Sequence, residues 1–380
     1  MPVEFIGAIA HRPGSESSGF TAGPPIDRPF LRRFVRAHEE AGFDRVLVAV
    51  LSTMPESTQV AAYAAAHSER LGFLVAHRPG FVFPTLAART FATLDQFAEG
   101  RIALHTITGG VDHEQRRDGD FLAKDERYAR TDEYLEILRS AWTATEPFDY
   151  EGRFYRLEDY VSDVRPYHDT GIPIYFGGSS EAAYRVGGKH ADVYALWGEP
   201  LAETRQQIES IHAAARAAGR SVLPRISVSF RPILGPTEEL AWERAHHILE
   251  QTRANIESAA NMFKRYRAAN GQKSVGSQRL LAAAAKAELH DRALWTPLAT
   301  AVGATGNSTA LVGTPETVAL ALLDYVDIGV TTLLIRGYDP YEDAVDYGRQ
   351  LIPLVRQELA HRERTGAADA LAEPAGAGVA

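Results

Sequence analysis

Ile172-Pro173-Ile174-Tyr175-Phe176-Gly177-Gly178-Ser179-Ser180 joins an apolar run to two glycines and two serines, and residues 181–187 then read as a helix start. A strand that turns through glycines into a helix is one βα unit. The alternation continues in both directions. Short apolar runs predict strands at 5–10, 45–50, 71–76 and 102–107 upstream, and at 191–196, 225–230 and 331–335 downstream. Together with 172–176 they make eight, and residues 31–41, 58–68, 84–97 and 128–142 carry helical patterns between them. Eight parallel βα units is the count of a closed (β/α)8 TIM barrel, an α/β fold. An open doubly wound sheet is the competing arrangement. No glycine-rich dinucleotide fingerprint follows the first strand, which argues against it.

The chain reads as one barrel domain over residues 1–363, since such barrels exceed the usual domain length as single units. Three connections are longer than ordinary loops. Residues 109–127 are charged and contain glycine, and 145–171 are aromatic and punctuated by proline. Residues 236–313 hold two helical patterns around the polar segment 270–277. All three are expected at the C-terminal face, where barrel loops carry function. The Ala/Gly/Pro-rich stretch 364–380 is expected to be a disordered tail.

The net charge of −9 comes without a dense basic cluster, which argues against a nucleic-acid partner. The absence of cysteine excludes disulfides, thiolate metal sites and cysteine nucleophiles. No run approaches the ~20 apolar residues of a membrane span, and no basic-headed signal peptide opens the chain. A cytoplasmic protein is expected.

The Gly177-to-Ser180 turn has the makings of an anion site. Glycines allow close backbone approach, serines add hydroxyls, and a helix start offers free N–H groups and a positive dipole end. The same residues also fit a tight βα turn with serine N-caps. The run Phe176 to Ser180 is similar to the segment with which bacterial-luciferase-like flavin monooxygenases hold the FMN phosphate. Other stretches match in order: Arg78-Pro79-Gly80, Pro84-Thr85-Leu86-Ala87-Ala88-Arg89, Asp95-Gln96-Phe97-Ala98-Glu99-Gly100-Arg101 and Glu126-Arg127-Tyr128. Then come Glu133-Tyr134, Trp142, Trp197-Gly198-Glu199-Pro200, and Ala310-Leu311-Val312-Gly313 through to Gly337-Tyr338. The ordered set covers residues 3–355 and most resembles the alkanesulfonate monooxygenases that use reduced FMN.

The resemblance implies that Gly178, Ser179 and Ser180 meet the phosphate, with the Tyr128 hydroxyl closing the site. Lys124 stands where the family has a histidine, and it supplies a point charge in place of a directed imidazole. Thr108 takes the position that donates a hydroxyl towards the isoalloxazine. His105 replaces an asparagine of many relatives, and it also fits a satisfied barrel histidine. The substrate side departs further. Ser229 and Arg231 occupy the places of an arginine and a histidine, and Tyr338-Asp339-Pro340 replaces Tyr-Pro-His. Met54 stands at the active-site cysteine region, and Ala304 near the arginine of a mobile loop. Trp197, Tyr338 and His11 persist.

On this reading Tyr338 is a proton donor or orienting group, His11 an acid/base and Arg231 an anion clamp. Arg336 is a second candidate cation for the substrate, and a surface or ion-paired role is the alternative for both arginines. The implied activity is that of a two-component monooxygenase, with O2 as co-substrate and reduced FMN delivered by a separate NAD(P)H:flavin reductase. The substrate is expected to be a small anionic organosulfur compound, an alkanesulfonate cleaved to aldehyde and sulfite, and the 236–313 insertion to be a lid. A homo-oligomer is expected from the family. One alternative is a monooxygenase of the same fold acting on another sulfur, nitrogen or carbonyl centre. Another is a catalytically silent flavin-binding protein. Deazaflavin-dependent oxidoreductases are further relatives, though the long insertion favours FMN. His246-His247 and Asp112-His113-Glu114 present no convergent ligand set, so no metal site is expected. No Gly-x-Ser-x-Gly elbow supports a serine hydrolase.

Overall fold

The computed structural model describes residues 3–20, 23–258, 274–306 and 308–372. Eight strands run parallel: β1 (Glu4–Ala8), β2 (Arg45–Val48), β3 (Gly72–His77), β4 (Ile102–Thr106), β5 (Ile174–Gly177), β6 (Val193–Trp197), β7 (Arg225–Leu234) and β8 (Val330–Ile335). They pair in the order β6-β5-β4-β3-β2-β1-β8-β7, and β7 returns to pair with β6, so the barrel is closed. These are the eight strands that the apolar runs predict. Both faces of each strand are covered, which explains why β3 is buried at all six positions and reads as a continuous apolar run.

Alternation along the strands separates two cores. Ile6, Leu74, Ala103, Tyr175, Val193 and Leu334 fill the barrel, while a much larger cluster packs between strands and helices. The barrel floor is polar and satisfied. Glu4 accepts from Arg45 at 2.7 Å, from the Tyr175 hydroxyl at 2.7 Å and from Thr332 at 3.2 Å.

The helices that matter for the site are α1 (Arg28–Glu40), α2 (Pro84–Phe97), α3 (Lys124–Thr143), α4 (Glu181–His190), α5 (Glu238–Ser258), α6 (Val275–Lys286) and α7 (Ile352–Ala372). No helix among the described residues is long and apolar enough to cross a membrane. Close packing of α1 on β1 depends on Gly7. A Cβ there would lie 2.3 Å from the His38 ring, which is buried and hydrogen-bonded to the Phe34 carbonyl.

Three expectations change. Residues 145–171 follow α3 and precede β5, so they join the barrel at its N-terminal end and not at the C-terminal face. They form a hairpin of strands Phe148–Glu151 and Arg156–Tyr160 against the outer helices, with Glu133 accepting the N–H groups of Arg153 and Phe154. Helix α7 runs to Ala372, well into the stretch expected as a disordered tail. Ala367, Ala368 and Ala370 are strong helix formers that keep it going. The 236–313 insertion leaves from the C-terminal end of β7. Its strand Ala310–Gly313 pairs in parallel with residues 231–234, so β7 continues past the barrel rim. The first part of the expected polar segment 270–277, up to residue 273, lies outside the described residues, as do residues 259–273 of the expected lid.

Burial pushes His38 and His77 down to about 4, a depression that the contacts of each ring only partly offset. Their folded pKa lies below the unfolded value near 6.5, so the unfolded chain takes up protons first as pH falls. The stability from both rings is therefore present above about pH 6.5 and lost between there and about pH 4. The expected decline is up to about 1.4 kcal/mol per pH unit for each ring. Urea midpoints at pH 7 and pH 5 check this, and equal midpoints contradict it.

Candidate active site

Strand β5 ends at Gly177 and the chain turns through Gly178 into α4. Gly178 has φ 143°, a backbone region that disfavours side chains. A Cβ there would also press on Ala183 at 2.7 Å and on the Tyr128 hydroxyl at 3.1 Å. Glycine is required on both counts. Ser180 caps α4, accepting from the Ala183 N–H at 3.3 Å, and its side chain also contacts the Tyr128 hydroxyl. The Gly178 carbonyl is held by the Tyr194 hydroxyl at 2.8 Å. Ser179 is half-buried and bonds to Tyr184. Lys124 is the first residue of α3, one turn before Tyr128, so both lie on one helix face. Burial raises the Tyr128 pKa, so its hydroxyl stays protonated and able to donate.

The arrangement fits one phosphate. A helix start with free N–H groups meets serine and tyrosine hydroxyls, and the turn has no room for a side chain.

Alternation places His105 and Gly177 on the interior face with Ala103 and Tyr175, directly below the barrel mouth. Burial pushes His105 down to about 4, with only a backbone contact to Tyr175 raising it, so the ring is neutral. Its Nδ1 has no hydrogen-bond partner among the described residues. Thr108 is buried, and its hydroxyl donates to Thr131, which in turn donates to the Arg127 carbonyl. Its proton is committed to α3, so towards the mouth it offers acceptor lone pairs and not the expected donor.

Further round the same rim, Trp197 of β6 is in register with Ser229 of β7, and Arg231 follows two residues later on the same face of β7. Ser229 donates to the Leu196 carbonyl, so it is part of the wall. The Arg231 guanidinium lies 3.9 Å from the centre of the Tyr338 ring and donates to Glu16 at 2.7 Å and to the Gly337 carbonyl at 2.8 Å. Arg336 donates to the same Glu16 oxygen at 2.9 Å. Arg231 is thus not a free anion clamp but part of an ion-paired cluster. Burial raises Tyr338 to about 12, against the opposing charge of Arg231, so this phenol keeps its proton. His11 is half-buried. Burial first, then the charge of Arg12, lowers its pKa, which suits a base better than an acid at neutral pH.

Residues 5–332 match the profile of the luciferase-like monooxygenase family. The chain belongs to this family. Among solved structures, the riboflavin lyase RcaE with modified FMN and riboflavin has a TM-score of 0.74 at 20% identity, covering 94% of this chain and 92% of that one. The EDTA monooxygenase EmoA from Chelativorans sp. BNC1 gives 0.75 at 17% identity, covering 94% of each chain. DmoA from Hyphomicrobium sulfonivorans gives 0.74 at 18% identity, covering 94% of this chain and 89% of that one.

In this luciferase-like monooxygenase the motif reading named Arg78 and Arg127 without giving either a role, and it passed over Glu16. Arg127 is fully buried and gathers the 109–127 connection around itself, donating to Gly109, Leu122 and Asp112. Arg78 pairs with Glu114 and Asp118 of the same connection. Glu16 sits at the tip of a small hairpin after β1, where no motif surrounds it.

Helix α6 roofs the mouth. Gly276 approaches the Trp197 ring so closely that a Cβ would be 3.1 Å from it and 3.6 Å from the Ser179 hydroxyl. The roof is tied down by Arg279, whose Nε and Nη2 fork onto Glu199 at 2.9 and 2.7 Å. Glu199 is 2% exposed, so removing its partner strands a buried carboxylate. Arg279→Ala is expected to cost about 2–4 kcal/mol, with Arg279→Lys recovering part of the loss. Urea denaturation measures it, and an unchanged midpoint would show that the fork does not hold the roof.

Proposed function

We propose that this chain is the oxygenase of a two-component system that receives reduced FMN from a separate NAD(P)H:flavin reductase and uses O2. The observation that carries the reading is the single phosphate cradle at Gly178–Ser180, closed by Tyr128 and backed by Lys124, which suits a mononucleotide. Bound there, reduced FMN supplies the electrons for O2 activation, and the protein supplies binding, orientation and electrostatics. Ser179, Ser180, Tyr128 and Lys124 hold the phosphate. His105 lies below the mouth as a neutral ring, and Thr108 presents an acceptor. Tyr338 keeps a proton to donate, His11 takes one up, and the α6 roof over Trp197 keeps water out.

For the substrate, the cluster of Arg231 and Arg336 supports a small anionic compound. A planar guanidinium fork matches a sulfonate or carboxylate, and an alkanesulfonate cleaved to aldehyde and sulfite is the reading we favour. The wall role of Ser229 and the pairing of Arg231 with Glu16 favour a second reading, a monooxygenase acting on another sulfur, nitrogen or carbonyl centre.

The test supplies purified chain with FMN, NADH or NADPH, O2 and a panel of alkanesulfonates. No product is expected until a flavin reductase is added, and sulfite is expected from at least one sulfonate afterwards. NADH consumption coupled to product by this chain alone would contradict the two-component reading. Turnover of a non-sulfonate with no sulfite from the panel would move the substrate to the second reading.

A further inference from the structure

Two guanidiniums at the barrel mouth share one carboxylate. Arg231 and Arg336 both donate to the same oxygen of Glu16, which leaves the cluster with one net positive charge. Burial opposes ionisation of Glu16, but the two arginines outweigh it and hold its carboxyl below the ordinary range. The Nε–H donors of both arginines are buried and have no hydrogen-bond partner among the described residues. Buried donors in this condition call for an acceptor. The side chain of Arg231 is 6% exposed, whereas those of Arg336 and Glu16 are 29% and 25% exposed, so the cluster opens outward on the Arg336–Glu16 side. Tyr338 forms its floor.

The position of Glu16 does not depend on its carboxylate alone. Its backbone N–H donates to the Tyr338 carbonyl at 2.7 Å, and Ser15 donates to the same oxygen. Ser17 donates to Gln251 of α5. These contacts fix the hairpin beside the arginines whatever charge residue 16 carries.

We infer that Glu16 is a specificity-determining residue that limits the Arg231–Arg336 cluster to a substrate end bearing a single negative charge. This rests on the reading that the cluster holds an anionic substrate. A neutral end leaves the buried positive charge uncompensated. A doubly charged end adds repulsion from Glu16 at short range, where charges interact strongly in a partly buried site. A sulfonate or carboxylate matches the cluster, and a phosphate monoester at alkaline pH does not.

The test titrates the full chain calorimetrically at pH 8 with hexane-1-sulfonate, hexyl phosphate and 1-hexanol. Wild type is expected to bind the sulfonate more tightly than either of the others. Glu16→Gln is expected to move the phosphate-to-sulfonate affinity ratio at least about tenfold towards phosphate, the charge step being worth about 1.4 kcal/mol or more. Glu16→Asp keeps the charge and should keep the wild-type order. Arg336→Gln takes the cluster to zero net charge and should weaken sulfonate binding at least about tenfold, with hexanol unchanged. A wild type that binds sulfonate no better than hexanol overturns the anionic-substrate reading itself. A wild type that prefers sulfonate, beside a Glu16→Gln variant with an unchanged ratio, overturns the role of Glu16 alone. If Glu16→Gln does not fold, Arg336→Gln decides: unchanged sulfonate affinity there also overturns the inference.

Discussion

Pairing of β6 with β7 closes the sheet, and the placement of every functional group follows from that closure. In a closed parallel barrel each strand delivers its C-terminal end to one rim, so residues far apart in the chain meet there. Gly178 after β5, Trp197 at the end of β6, Arg231 on β7, Tyr338 after β8 and Glu16 after β1 are neighbours for this reason. The interior below them is filled by side chains and floored by the Glu4 network, which leaves the rim as the place where polar groups can face a ligand.

The rim divides into two halves of different character. On the β5 side the groups are hydroxyls and helix N–H donors, held by short-range contacts around a glycine that tolerates no side chain. On the β7–β8–β1 side they are two guanidiniums, a carboxylate and a phenol that stays protonated. Helix α6 approaches Ser179 and Trp197 through Gly276, and the Glu199–Arg279 fork anchors it.

The barrel was legible because strands covered on both faces leave continuous apolar runs, as β3 does. The turn from β5 into α4 was legible because its parts are contiguous from Phe176 to Glu181. The end of β7 was not. Arg231-Pro232 reads as the end of a strand, yet pairing with residues 310–313 carries the strand to Leu234. The order of a helix at 128–142 and a strand at 172–176 already places residues 145–171 at the N-terminal end, and the expectation of the C-terminal face followed their length and composition instead. The Glu16 cluster was hidden for a plainer reason. Its ion pairs join residues 215 and 320 positions apart, and only the closed fold brings them together. The contact of the Thr108 hydroxyl with Thr131 was hidden as well, since the two lie 23 positions apart.

The central claim is that the turn from β5 into α4 holds the phosphate of a mononucleotide. Hydrogen–deuterium exchange of the protein with FMN, compared with riboflavin at equal occupancy, tests it directly, since the two ligands differ only in the phosphate. The account predicts that FMN slows exchange at residues 178–183 and in the first turn of α3, and that riboflavin leaves those amides unprotected. Equal protection by both ligands, or protection by FMN elsewhere on the rim only, would contradict it.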